Sequence, residues 1–154
     1  MSQNKSADLL LVIDMQNVYT KGQEWACEGV EHPERVWKEY NEVNAAVNAD
    51  PWLNEMMPEF LPWTEKYPVY TKSVYSSFAI PEVVKAAKKA GRLVISGVVA
   101  ECCVLSTVLS TIDAGCKVIY LTDAVAGLSE ASRRETENII SYFAPLHTEL
   151  MTTE

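Results

Sequence analysis

The stretch Gly97-Val98-Val99-Ala100-Glu101-Cys102-Cys103-Val104 constrains this chain more than any other. It follows an apolar, β-branched run from Arg92 to Ser96 and opens a segment with helical spacing that ends at Gly115. A strand that breaks into a turn and restarts as a helix aims backbone N–H groups, and the positive end of the helix dipole, at one point. A cysteine in the first turn of such a helix ionises readily and stands exposed at the carboxyl end of its strand. Open α/β sheets bind their ligands there. Cys103 is therefore the candidate nucleophile.

The rest of the chain supplies a sheet around it. Leu9 to Asp14 is a continuous apolar run of the kind buried in a parallel sheet, and it ends in a carboxylate. Gly22 to Arg35 has no periodicity and reads as loop. Val36, Tyr40, Val43 and Val47 are spaced for a modest amphipathic helix. Asp50-Pro51 is a cap followed by an N1 proline, with Trp52, Met56 and Phe60 on one face before Pro58 and Pro62 break the pattern. Val69 to Lys72 reads as a short strand, and Ser73 to Phe78 as a loop. Pro81 begins a helix that stops at Gly91. Lys117 to Thr122 is another buried strand, Ser129 caps a helix to Phe143, and His147 to Leu150 is a final strand. Alternating strands and helices give an α/β chain with a parallel, doubly wound sheet and right-handed crossovers. At 154 residues it reads as one domain spanning 1–154.

Composition excludes some classes. A net charge of −8 leaves no basic stripe to neutralise phosphates, so nucleic acid is not an expected partner. No apolar run reaches membrane-spanning length, and the polar start of the chain carries no secretory signal. Cys27, Cys102, Cys103 and Cys116 show neither disulfide-framework nor zinc-ribbon spacing, which fits reduced thiols in the cytoplasm. His32 and His147 lie far apart, and neither has a second ligand at metal spacing.

Asp14, Lys72 and Cys103 each follow a strand, at the same edge of the expected sheet. Together they are what a cysteine hydrolase requires. A thiol is intrinsically nucleophilic but mostly protonated at neutral pH. A carboxylate in reach takes its proton and later returns it to a leaving amine. A lysine stabilises thiolate and carboxylate alike. Backbone N–H groups at the turn, those of Val99 and Cys103, form an oxyanion hole. Gln16, Tyr19, Trp25, Tyr75 and Phe78 are candidates for the substrate pocket, each also open to a plain packing role.

These residues carry a resemblance. The runs Val12-Ile13-Asp14-Met15-Gln16-Asn17, Lys72-Ser73-Val74-Tyr75-Ser76-Ser77-Phe78 and Gly97 to Val104, continuing to Thr107, Asp113-Ala114-Gly115 and Asp123-Ala124, are similar to the isochorismatase-like superfamily of cysteine hydrolases. That superfamily includes nicotinamidases and N-carbamoylsarcosine amidohydrolase. The resemblance implies a three-layer α/β/α fold, with Asp14 as general base, Lys72 as its partner and Cys103 as the nucleophile of an acyl intermediate. It also implies a cis peptide near Val98–Val99, a small-molecule substrate with an amide, carbamoyl or imide-like C–N bond, and a homo-oligomer, dimer or tetramer. Cys102 is then the neighbour of the nucleophile rather than the nucleophile. The metal site of the nicotinamidase branch, an aspartate with two histidines, has no match, so no metal and no other cofactor is expected. A helix and a second strand belong between the Asp14 and Lys72 strands. No apolar β-branched run lies between Gln16 and Tyr67, so residues are expected to be missing around Val30–Trp37, through a genuine deletion or an incomplete record. The Lys72 strand must then take the vacant place beside the Asp14 strand or lie too far away. Two other readings compete: a catalytically inactive binding or assembly module using the Trp52–Trp63 segment, and a redox pair of Cys102 with Cys103, which a vicinal disulfide would strain.

Overall fold

The computed structural model describes residues 7–23, 25 and 35–154. Cys27 and His32 lie outside them. The described residues fall into two compact units, one made of the chain up to Ile13 together with Tyr75–Glu154, the other of Asp14–Val74.

The first unit is built on a parallel sheet of β1 (Leu9–Ile13), β2 (Arg92–Val98), β3 (Lys117–Ala126) and β4 (Thr148–Met151), in that spatial order. Consecutive parallel neighbours need crossovers, and right-handed ones put successive helices on one side of the sheet. Three helices make those crossovers or precede them: α5 (Pro81–Ala90), α6 (Leu105–Asp113) and α7 (Glu130–Ser141). Ala87, Val104, Val108 and Ile140 from this helical side join Ile13, Leu93, Ile95, Val118 and Tyr120 of the sheet in one buried cluster. The expected α/β class with a parallel sheet is what the chain adopts. Among the described residues, the other three strands of the sheet lie on one side of β1.

That arrangement corrects one expectation. The Leu9–Ile13 run was expected to be buried on both faces. Leu9, Leu11 and Ile13 turn toward the core, whereas Leu10 and Val12 are 58% and 43% exposed. α5, α6 and α7 all contribute to the core on the side that Leu9, Leu11 and Ile13 face.

Helix ends follow local chemistry. Pro81 occupies the first turn of α5 and Gly91 closes it at φ 76. Ser129 and Ser132 form a reciprocal capping box on α7. In β3 the strand does not stop at Thr122 but runs to Ala126, because the register with β2 shifts between Ile95 and Gly97, which pair with Tyr120 and Val125. Asp123 thus lies within the strand. Its carboxylate accepts from the Thr153 hydroxyl and backbone N–H, and those bonds hold it below the usual range.

The second unit holds α1 (Arg35–Val43), α2 (Ala45–Ala49), α3 (Pro51–Asn54) and α4 (Leu61–Thr64). Asp50 caps α3 by accepting from Trp52 N–H at 3.0 Å. Val69–Lys72, expected as a strand, is irregular. A strand needs a neighbour to satisfy its backbone, and no ladder is formed there.

Gly97 shows where the fold tolerates least change. It has φ 113, and a Cβ placed on it would stand 2.1 Å from the backbone oxygen of Ile13. β1 and β2 approach so closely only because position 97 has no side chain. Gly97→Ala should therefore cost about 3 kcal/mol or more in urea unfolding, combining a forbidden backbone with a backbone clash. Gly91→Ala, with the same sign of φ but open space around it, should cost only about 1–2 kcal/mol.

Candidate active site

Asp14 is the first residue of the second unit, and its backbone is left-handed at φ 54. Asp tolerates that region better than most residues, yet the conformation still has a cost and needs support. The support is a short antiparallel arrangement. Gln16 N–H donates to the Asp14 carbonyl at 2.9 Å, closing a tight turn. Asn17 N–H donates to Glu55, and Met57 N–H to Met15, each at 2.9 Å. The Gln16 side-chain nitrogen donates to the Asn54 carbonyl at 2.9 Å, and that of the buried Asn17 to Trp52 at 2.8 Å. The Trp52–Met57 stretch thus splints the carboxylate-bearing turn.

The turn presents Asp14 to Lys72. The lysine Nζ donates to Asp14 Oδ2 at 2.7 Å, with the two side chains only 9% and 13% exposed. Lys72, on an irregular segment rather than a strand, is within reach of Asp14. A lysine amine on four methylenes makes contact from an irregular segment, which a shorter side chain would not do.

In the first unit, β2 leads into a turn of π-helix, Ala100–Val104, before α6 begins. The Val98–Val99 peptide is cis. The Val99 carbonyl accepts from both Cys102 and Val104 N–H at 3.1 Å, the second being the wide i→i+5 closure of a π turn. Such single π turns occur often at functional sites. Cys103 therefore sits on a π turn rather than the first turn of an α-helix. It is also buried, at 1% exposure, rather than exposed, because its side chain belongs to the core cluster with Ile13 and Val104. Cys102, Cys103 and Cys116 are thiols, not disulfides. Burial pushes the Cys116 thiol up, with Lys88 acting weakly against it.

Thr107, one turn on, donates from its hydroxyl to the Cys103 carbonyl at 2.7 Å and accepts from Ser77 N–H at 3.0 Å. This relay fastens the Ser77–Ala79 turn to the cysteine. Its signal was available as a threonine four residues after the cysteine, which matches helical back-bonding.

The candidate pocket residues separate by unit. Tyr19, 5% exposed, meets Trp25 edge-on at 5.7 Å, and the Trp25 indole donates to the Thr20 carbonyl. Tyr75 and Phe78 pack against the core of the first unit. Gln16 uses its amide nitrogen within the Asp14 splint. Among the described residues no group of three or more His, Cys, Asp or Glu side chains could hold a metal ion, and no helix is long and apolar enough to cross a membrane.

A family model of the isochorismatase domain matches residues 30–154, and the chain belongs to that family. The matched span includes Lys72 and Cys103 and begins after Asp14. Among solved structures, an isochorismatase-like hydrolase from Alkaliphilus metalliredigens is 22% identical, with 97% of this chain and 94% of that one covered at a TM-score of 0.65. A nicotinamidase from Staphylococcus aureus is 18% identical, with coverages of 96% and 98% and a TM-score of 0.65. At such identities these two share the fold. The YcaC gene product of Escherichia coli, titled an octameric hydrolase of unknown specificity, is 29% identical with a TM-score of 0.56. There 64% of this chain is covered, and it spans 48% of the other. No curated protein matches the chain in sequence.

Removing one partner of a largely buried ion pair strands the other charge. Lys72→Met and Asp14→Asn should each destabilise by about 3 kcal/mol, and the double variant by clearly less than the sum. A double-mutant cycle in urea should read a coupling above about 1 kcal/mol.

Proposed function

We propose that this chain is an isochorismatase-like cysteine hydrolase that cleaves a C–N bond of a small amide, carbamoyl or imide-like molecule. The observation that carries the reading is the nearly buried Asp14–Lys72 pair on a left-handed strand-end residue, in a chain whose β2 strand ends in the cysteine turn. A carboxylate kept out of water at such a turn has a cost that structure alone does not require. Asp14 lies before the span matched to the family, so its role rests on this geometry and on its place at the end of β1.

The chemistry follows in balanced steps. Asp14 takes the proton from the Cys103 thiol, and the thiolate attacks the substrate carbonyl carbon. A C–S bond forms while the carbonyl π pair moves to oxygen, where the Val99 and Cys103 N–H groups receive it. The oxyanion collapses, the C–N bond breaks, and the amine leaves with the proton held on Asp14. A water molecule then gives its proton to Asp14 and attacks the thioester. Collapse breaks the C–S bond, releasing acid and thiol. Lys72 holds Asp14 in place and favours its ionised form between proton transfers. No step needs a cofactor. Tyr19, Trp25, Tyr75 and Phe78 serve as the apolar walls that orient a small substrate, with Gln16 beside the base.

The whole of 1–154 acts as one such domain, and as a homo-oligomer. The Escherichia coli relative is an octamer, and Trp52 and Trp63 here are 50% and 54% exposed, a large apolar surface. Sedimentation should give a mass of at least two 17.2 kDa subunits; a concentration-independent monomer contradicts the assembly.

A panel of small primary amides, carbamoyl compounds and cyclic imides, assayed for released ammonia or acid, tests the activity. Wild type should turn over at least one class. Cys103→Ala and Asp14→Asn should lose about 10³-fold or more in kcat and Lys72→Ala about 10²-fold or more, all three remaining folded. Turnover that survives Cys103→Ala overturns the mechanism. No turnover by wild type, with intact partner binding in Cys103→Ala, would leave the binding module.

A further inference from the structure

Glu101, two residues before Cys103, is a group that the mechanism above does not use. Its Oε1 accepts from Leu128 N–H at 3.0 Å, across a sequence separation of 27 residues. Leu128 lies in the loop between β3 and α7, just before the Ser129 cap. The other oxygen, Oε2, is buried with no hydrogen-bond partner. Leaving a carboxylate oxygen buried and unpaired is unfavourable, and an apolar side chain would avoid it. Beside it lies Gly127, where an added Cβ would stand 2.6 Å from Oε2 and 3.1 Å from Arg133 N and Ser132 Oγ. The carboxylate therefore fills the space that a side chain at 127 would take. The Tyr120 phenol, wholly buried and without a hydrogen-bond partner, feels Glu101 together with Glu137 and Arg133.

From this geometry we infer that Glu101 is a positioning residue for Cys103, clasping the π turn to the β3–α7 loop through Leu128 N–H, with Gly127 leaving room for the clasp. The inference rests on Cys103 being the nucleophile. The π turn has a wide closure and is anchored on one side by Thr107 through the Cys103 carbonyl. The Glu101 clasp supplies the anchor on the side before the cysteine. Its charge alone would disfavour a thiolate two residues away, so loss of charge and loss of tether push the thiol in opposite directions.

That opposition makes the test. Glu101→Gln keeps an acceptor for Leu128 N–H and removes the charge. Glu101→Ala removes both. Gly127→Ala leaves Glu101 in the sequence but displaces its flexible carboxylate, since the obstructing atom is the end of a side chain. Each variant is first shown by circular dichroism to be folded. Iodoacetamide labelling at Cys103 as a function of pH, with site assignment by mass spectrometry, is then read beside amide hydrogen exchange at Leu128 and across Ala100–Val104. Glu101→Ala and Gly127→Ala should alkylate Cys103 at least ten-fold more slowly at pH 7, with a profile displaced to higher pH and Leu128 protection lost. Glu101→Gln should stay within about three-fold of wild type. Wild-type rates and profiles in Glu101→Ala and Gly127→Ala overturn the positioning role, as does a Glu101→Gln defect as large as that of Glu101→Ala. If wild-type Cys103 is itself inert, the hydrolase reading fails separately. The clasp is then decided by exchange alone, and unchanged Leu128 protection in Glu101→Ala overturns it.

Discussion

A largely buried carboxylate at the end of β1 is the constraint from which much of this molecule follows. Asp14 continues the apolar run of β1 into a left-handed turn, where neither burial nor backbone favours it. Lys72 compensates the charge at 2.7 Å, and the carbonyls of Trp52, Asn54 and Glu55 compensate the turn. Much of the second unit can be understood as the support of that one residue. Its helices are short, α1 buries no residue, and residues 14–17 are held by hydrogen bonds to the Trp52–Met57 stretch. A segment with so little core of its own is ordered by polar contacts, and such contacts specify position more than they add stability.

The first unit rests on a different constraint, the contact between two backbones. β1 and β2 meet where Gly97 lies against Ile13, and β2 then turns at once into the π-helical segment. α5, α6 and α7 contribute to one core on the same side of the sheet, while Leu10, Val12 and Met151 are exposed. Parallel sheets ordinarily cover both faces.

Much of this was legible in the sequence because it is local. Pro81 with Gly91, Asp50 with Pro51, and Ser129 are caps whose chemistry acts within a few residues, and the structure places a helix at each. The runs Leu9–Ile13, Leu93–Gly97 and Lys117–Thr122 are apolar enough to be strands in almost any context. What failed depended on partners. Val69–Lys72 has strand composition, but among the described residues no β-ladder forms there, so propensity had nothing to act on. β3 outran its expected end because a register shift, set by β2, gave Asp123 and Ala124 a place in the sheet. The π closure at Val99 and the burial of Cys103 are set by how α6 meets the core, which no spacing in Gly97–Val104 encodes. Glu101 and Leu128, distant in sequence, met only in three dimensions.

Burial at 1% is also what a packed, inert cysteine shows. Reactivity of the thiol therefore separates a nucleophile from a core residue, and its dependence on Asp14 separates a coupled pair from a lone reactive group. The most direct measurement is the pH profile of iodoacetamide alkylation, assigned by site, in wild type and in Asp14→Asn. A nucleophile coupled to this carboxylate alkylates at Cys103 faster than at any other cysteine below pH 7, and its profile moves when Asp14 is neutralised. Alkylation at Cys103 no faster than at Cys27 or Cys116, and unchanged by Asp14→Asn, would contradict a catalytic cysteine and leave the fold without its chemistry.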